Sequence, residues 1–409
     1  MPHLSHRNRR ALRGTLLCLL LPLAACSRKG FPRVPDGYRE YAYVSNTAAN
    51  TVSVLDLVYL RPERTLLVGA GPSGMAVNPV RNEVYVVNTQ PSQPNGSVSV
   101  IDVVSNRVVA TILVHRLPYS IAVDPTGHRA FVANSGSNTV SVLDLDKRRL
   151  IHTAATGEQP GVARISPDGR TLVVTNRGSN SVSVYSVAPT DSPTSEPALR
   201  LRSTFDRCPG ATDAAILPDS LKAFIACSSG HQVMAISLAA APDSWQAKQD
   251  SAATADHFLT LLDVGVAPTH LALKPDGGEI FVSNFTSDSI SEISTWTNEV
   301  GGTYAIGSKP SQGVVSRDNS TLWVSNFGAD TISLYSVDDG KVVGSLHTGA
   351  APDALAFSAD EHLLLAADAH SGDVAVIRTQ GKQGPALFTM LPAGASPSAI
   401  VVKALQPNK

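Results

Sequence analysis

The sequence predicts an all-β chain forming a single closed β-propeller of eight four-stranded blades, with seven blades as the alternative. Three observations predict it. A unit of about 42 residues recurs along the chain, and the octapeptide NTVSVLDL stands at both 50–57 and 138–145. Charged residues make up only 16% of the 409, while 30 Gly and 27 Pro supply turns. Each unit holds several short apolar or alternating runs bounded by turn residues, and no long amphipathic helical pattern interrupts them.

The elements follow in order. The first is a Pro-led apolar strand, carried by Pro72, Pro118, Pro160, Pro209, Pro268, Pro310, Pro352 and Pro397. The second ends on a polar turn residue: Asn46, Asn88, Asn134, Asn176, Cys227, Asn284, Asn326 and Asp368, spaced 42, 46, 42, 51, 57, 42 and 42 residues apart. The third is the alternating run VSVLDL and its relatives, whose period of two predicts a half-buried strand. A less regular fourth run, as in RTLLVG and KVVGSL, completes a four-stranded blade. DPTG, SPDG and KPDG join the first two strands, Pro fixing one turn residue and Gly accepting the next. The first copy starts at its second strand near Tyr43, and the last Pro-led strand, 397–402, has no strand after it. Pairing the two closes the ring and leaves no open edge.

The Y-V-x-N, S-V-S-V-[IL]-D and V-G-x-x-P elements resemble those of the YVTN-repeat β-propeller family over residues 41 to 402. The resemblance implies a surface or periplasmic bacterial protein, and many relatives are seven-bladed. A seven-bladed ring requires one degenerate copy to lie outside it.

Residues 1–25 read as a lipoprotein signal peptide: Arg7, Arg9, Arg10 and Arg13 precede the apolar stretch 15–25, too short to span a bilayer. Leu23-Ala24-Ala25-Cys26 resembles the bacterial lipobox, so Cys26 is expected to carry the lipid, palmitate included. Residues 26–40 are then a lipidated tether, 41–403 the propeller and 404–409 a tail. The expected location is the cell envelope, lipid-anchored in the outer membrane and facing the periplasm or the cell surface. Removing 1–25 lowers the basic residues from 33 to 29 against 34 acids, a net charge of −5. That balance argues against nucleic acid, including the DNA-binding branch of the resembled family. The remaining pair, Cys208 and Cys227, falls at one rim of one blade in an oxidising compartment and is expected to form a disulfide.

A propeller gathers ligands on the face made by the loops leading into the inner strand and those between the second and third strands. Gly69, Gly157, Gly265, Gly307, Gly349 and Gly394 form a column in the first set, with His115 and Asp206 in place of Gly; Arg116, Arg207, Lys309 and His270 stand beside it. After the Asn column come Thr47, Thr89, Ser135, Arg177, Ser228, Phe285, Phe327 and Ala369. Arg177, Phe285 and Phe327 are larger than a turn needs, and Lys309 should enter between the two Phe. The candidate binding face is therefore Arg177, Phe285, Phe327, Lys309, His115, Arg207 and His270, suited to a planar or anionic ligand or a partner loop. The Asn column itself reads as turn chemistry, with Asn accepting left-handed backbone. The insertions 188–204 and 239–260 read as extended or mobile loops on the opposite face.

No metal-ligand spacing, nucleophile elbow or cofactor motif is present, so no catalytic residue, metal or cofactor is expected. Glu158, Asp206, Asp213 and Asp353 lie near the lead-in loops, without a sign that they converge. The first expectation is a monomeric, non-catalytic binding or scaffold module, joined to the membrane through Cys26 and presenting its loop face to a protein or small-ligand partner. The alternative is a lactonase-like hydrolase or lyase at the mouth of the central channel, where lactonase propellers use acidic and His residues. The third is an accessory protein of an exported redox enzyme.

Overall fold

The computed structural model describes residues 34–189, 197–241, 244–381 and 384–405, apart from the side chains of Ser251 and Ala252. The expected signal peptide, Cys26 and most of the tether lie outside the described residues, as do 190–196 and the end of the tail, 406–409.

Eight four-stranded antiparallel sheets form the expected ring. Blade 1 contains Arg39–Asn46, Thr51–Asp56 and Arg61–Leu67 with Pro397–Leu405 as its inner strand. Blade 2 spans Pro72–Leu113, blade 3 Pro118–Ala155, blade 4 Pro160–Asp206 and blade 5 Ala211–Asp263. Blades 6, 7 and 8 span Pro268–Ala305, Pro310–His347 and Pro352–Pro392. Blade 1 closes the ring: Arg39 pairs with Leu405, Tyr43 with Val401 and Ser45 with Ala399. Each inner strand touches the inner strands of both neighbouring blades around the ring.

Packing explains the sequence pattern and corrects one reading of it. The third strands are buried on both faces rather than half-buried, because each blade is covered by two others. Val182 and Val184 of blade 4, for example, pack with Ile225 and Met234 of blade 5. The alternating Ser residues are inside as well: Ser53, Ser99, Ser141, Ser183, Ser291 and Ser333 are all buried. Exposure alternates instead along fourth strands such as Arg107–Leu113, Arg149–Ala155 and Glu299–Ala305.

Those hydroxyls are tolerated because the Asn column meets them. Nδ2 of Asn46 donates to Thr51 Oγ1 at 3.1 Å and Ser53 Oγ at 2.9 Å, and Asn88, Asn134, Asn176, Asn284 and Asn326 repeat the same two bonds in their blades. Buried polar groups cost little once mutually bonded. The column does not have left-handed backbone; positive φ falls instead on Asn50, Asn138, Asn180, Asp288 and Asp330, four residues later. The Gly column has a steric cause. A Cβ on Gly69 would lie 2.7 Å from the Asn88 side chain, and Gly157, Gly265, Gly307 and Gly394 meet their Asn in the same way.

Blade 5 revises the alignment. Ala211, not Pro209, pairs with Cys227, as Pro72 pairs with Asn88. Cys208 stands three residues before Ala211, where Gly69 stands before Pro72, so the Gly–Asn pair has become a Cys208–Cys227 disulfide with Cα atoms 4.7 Å apart. Asp206 is displaced from the Gly column. The insertion after blade 5's third strand holds a five-residue helix, Trp245–Gln249, capped by the Ser244 side chain, where only an extended loop was expected. Asp256 fastens this insertion to blade 4, taking bonds from Arg202 at 2.6 and 2.7 Å and from Ser203 at 2.7 Å.

Candidate active site

The channel mouth is built by how each inner strand begins. The residue just before it has left-handed backbone: Gly71, Leu117, Gln159, Gly210, Ala267, Lys309, Ala351 and Ser396. In five blades a side-chain oxygen of the preceding blade takes that residue's N–H, as Asn138 does for Gln159 at 2.9 Å and Asp288 for Lys309 at 2.8 Å. The turn fixes the direction of entry, so equivalent side chains of successive strands form rings around the channel.

One ring lies two residues into the strands: Gly74, Ser120, Val162, Asp213, His270, Gln312, Ala354 and Ala399. Its polar members bond to the next inner strand. Ser120 Oγ accepts from Ala163 N at 3.0 Å, Asp213 Oδ2 from Leu271 N at 3.1 Å, and Gln312 Oε1 from Leu355 N at 2.8 Å. His270 Nε2 lies 3.1 Å from Gly313 O. These contacts give each residue a structural role in joining blades.

Two of these groups go further and form one chain with Arg164 across blades 4, 5 and 6. Arg164 donates from Nη2 to Asp213 Oδ1 at 2.9 Å and from Nε to Ala214 O at 3.1 Å. Asp213 Oδ2 lies 3.0 Å from His270 Nδ1. Burial pushes the Asp213 carboxyl up, but Arg164 first, then His270 and the Leu271 N–H, outweigh it and hold the group well below the usual carboxylate range. Both His270 nitrogens face acceptors, so both contacts are hydrogen bonds only when both nitrogens carry hydrogen. The Asp353 carboxyl in blade 8 is pushed up by burial, against the opposing pull of the Ser311 hydroxyl and His270. Arg164, Asp213, His270, Gln312 and Asp353 line one cavity of about 520 Å³ at the mouth. A fixed cation and a carboxyl of raised proton affinity, around a space that admits a small molecule, can polarise a carbonyl and move a proton to and from the reacting oxygens.

The expected binding face divides. Phe285 and Phe327 meet with centroids 6.2 Å apart, Lys309 Nζ lies 6.0 Å from the Phe285 ring, and His370 extends the row at 5.3 Å from Phe327. Arg177 lies over Tyr119 at 4.8 Å on the other side of the ring. His270 belongs to the channel, not to that row. His115 turns to the outer strand of its blade, where Nε2 meets Thr153 Oγ1 at 2.9 Å, and Arg207 has left-handed backbone in the loop leading into blade 5. Of the four acids near the lead-in loops, Asp213 and Asp353 line the cavity, while Glu158 and Asp206 are not among its lining residues.

Sequence reasoning missed Arg164, Gln312 and the convergence of Asp213 with His270. A signal existed. Four residues into the inner strands stand Ala76, Ala122, Arg164, Ala215, Ala272, Val314, Ala356 and Val401, a row with one charge. Among the described residues no group of three or more His, Cys, Asp or Glu is placed to hold a metal ion.

Comparison with known proteins adds to this geometry. Residues 291–397 match the family model described as lactonase, 7-bladed beta-propeller, although this ring has eight blades. No curated protein matches the chain significantly. Among solved structures, a putative 6-phosphogluconolactonase from Bacteroides fragilis is similar with TM-score 0.57 and 15% identity, covering 91% of this chain and 100% of that one. A putative 6-phosphogluconolactonase from Bacteroides uniformis gives TM-score 0.58 and 16% identity over 89% and 99%. A dihydro-heme d1 dehydrogenase, NirN, gives TM-score 0.67 and 14% identity over 88% and 74%. At such identities these likenesses concern the fold. The family-model match over 291–397 corrects the expectation of a non-catalytic, non-enzymatic scaffold and favours the hydrolase alternative.

Proposed function

We propose that this propeller hydrolyses a lactone at the mouth of its channel. The observation that carries the reading is the convergence of Arg164, Asp213, His270, Gln312 and Asp353, from five consecutive blades, on one cavity. The lactonase-family match over 291–397, which includes Gln312 and Asp353, supports it.

Each group has a role set by its surroundings. Arg164 spends two of its donors on blade 5 and is half exposed, which leaves guanidinium hydrogens for the lactone carbonyl oxygen. Asp213 positions that guanidinium and the His270 ring, so the charge is fixed before substrate arrives. Asp353 takes the proton of the attacking water as its oxygen bonds to the carbonyl carbon. The ring C–O bond then breaks, the same proton passes to the departing alkoxide, and a hydroxy acid leaves. A carboxyl whose proton affinity is raised by burial suits both transfers better than a surface one.

Acid release from δ-valerolactone, glucono-δ-lactone and δ-decanolactone in a pH-stat tests the reading. Wild-type protein should exceed the buffer rate with at least one. Arg164→Met should lower kcat by about 10²- to 10³-fold, the typical effect of losing an oxyanion donor, and Asp353→Asn by about 10²- to 10⁴-fold, as for a lost general base. Buffer-level rates with all three, from folded protein, would exclude it.

The repeat's likeness to the YVTN family and the lipobox-like Leu23-Ala24-Ala25-Cys26 support an envelope enzyme anchored by lipid on Cys26. Metabolic labelling with a palmitate analogue checks it: Cys26→Ser should abolish the label.

A further inference from the structure

The cavity has two unlike walls. Arg164, Asp213, His270, Gln312 and Asp353 occupy the arc of blades 4 to 8. The arc of blades 1 to 3, continued by Val162 of blade 4, is lined instead by Met75, Tyr119, Ile121 and Ile400. Besides the Tyr119 phenol it has three hydroxyls, on Ser73, Ser120 and Ser398, and each of these three is already bonded within the ring. Ser73 Oγ donates to Tyr119 O at 3.3 Å, Ser120 Oγ donates to Gly161 O at 2.8 Å, and Ser398 Oγ lies 2.6 Å from Thr47 Oγ1 and 3.0 Å from Ser45 Oγ. A hydroxyl of a substrate pressed against this arc would give up water and, away from the one Tyr119 phenol, gain little in return. An alkyl or aryl group there loses nothing and is removed from water.

Resting on the lactonase reading, we propose that the substrate is a lactone with an apolar substituent, its carbonyl against Arg164 and its alkyl or aryl group against Met75, Tyr119, Ile121 and Ile400. The two walls divide the substrate between them: the charged arc holds the reacting ester, and the apolar arc selects what is attached to it. A polyhydroxylated sugar lactone matches the first wall and not the second.

δ-Decanolactone and glucono-δ-lactone provide the test, because both react through a six-membered ring ester and differ in its substituents. Wild-type protein should prefer δ-decanolactone by at least about tenfold in kcat/KM, the scale of discrimination a hydrophobic pocket gives. Met75→Gln, close in volume, and Tyr119→Ser, at a position 41% exposed, should each reduce that preference several-fold. Equal rates, or a preference for glucono-δ-lactone, overturn the proposal while leaving the hydrolase reading intact. If neither lactone is hydrolysed, calorimetric binding decides the apolar arc, and the hydrolase reading itself fails where δ-valerolactone also stays at the buffer rate. Asp353→Asn protein should bind δ-decanolactone at least about tenfold more tightly than glucono-δ-lactone, with the difference reduced by Met75→Gln; no difference in binding overturns the proposal on its own terms.

Discussion

Blades 5 and 8 differ from the other six at the same joint. In blades 1, 2, 3, 4, 6 and 7 an Asn amide bonds two hydroxyls of the third strand. In blade 5 the three positions are Cys227, Gln232 and Met234, and in blade 8 they are Asp368, Asp373 and Ala375. Each substitution spans the whole set, so an Asn with no hydroxyl to meet does not occur. Blade 5 replaces the joint with a covalent bond to Cys208, and blade 8 with a carboxyl that takes the Gly349 N–H at 3.1 Å. The joint at the rim is therefore what the fold requires, and the amide is one of three ways to make it. The same two blades supply both carboxylates that line the channel cavity, Asp213 and Asp353. The carboxylates of the cavity and the irregularity coincide in these blades, while the regular six supply the frame and, from blades 4, 6 and 7, Arg164, His270 and Gln312.

The effect expected at the channel itself comes from removing the charge that blade 5 sends into it. Asp213→Ala would leave the Leu271 N–H without its acceptor, the Arg164 guanidinium without its counter-charge and His270 Nδ1 without its partner. Breaking a buried ionic pair typically costs 3–5 kcal/mol, and with Arg164 half exposed about 2–3 kcal/mol is expected, read as a lower Tm. The pH dependence follows from the direction of the shift. A carboxyl depressed in the folded state stabilises above its ordinary value of 3.8 and loses that contribution as pH falls below it. The gap in Tm between wild type and Asp213→Ala should thus be full at pH 7 and shrink below about pH 4. A gap that stays constant down to pH 3 would assign the loss to packing.

This division also explains what was legible in the sequence. The blade count, the closure through 397–402 and the disulfide follow from a repeat that names its own strands. Period-two alternation misled only about the third strands, because it cannot distinguish a Ser facing water from a Ser facing an Asn amide in the core. The channel site was harder to read for a physical reason. Arg164, Asp213 and His270 are 49 and 57 residues apart along the chain and meet only because ring closure puts the inner strands side by side. Asp213 is among the acids the sequence places near the lead-in loops, but counting the repeat from Pro209 moves blade 5 out of register by two residues and hides its alignment with His270.

The largest expected loss of stability separates the joint from the residue that makes it. The cross-link encloses 19 residues of separation, for which chain entropy gives about 3 kcal/mol. Cys208→Ala with Cys227→Ala should lose about that much. Restoring the majority pair with Cys208→Gly and Cys227→Asn should lose more, by roughly 1–2 kcal/mol, since Gln232 and Met234 offer the buried amide no hydroxyl. Denaturant midpoints for the two double variants decide between these outcomes. Equal or reversed midpoints would mean that the amide is sufficient without its partners.

The smallest effect concerns blade 8, where the joint should depend on pH. Burial, and then the charge of Asp373, push the Asp368 carboxyl up to about 7. A carboxyl raised in the folded state contributes fully below its ordinary value of 3.8, and the contribution is lost as pH rises through about 7. Asp368→Asn removes the charge, keeps an acceptor for the Gly349 N–H and offers an amide hydrogen to Asp373. It should leave Tm near the wild-type value at pH 4 and raise stability by roughly 1–2 kcal/mol at pH 8, an amount discounted from the full linkage for relaxation around the pair. If the advantage is the same at both pH values, the carboxyl is already ionised in the folded protein, and blade 8 holds its rim by geometry alone.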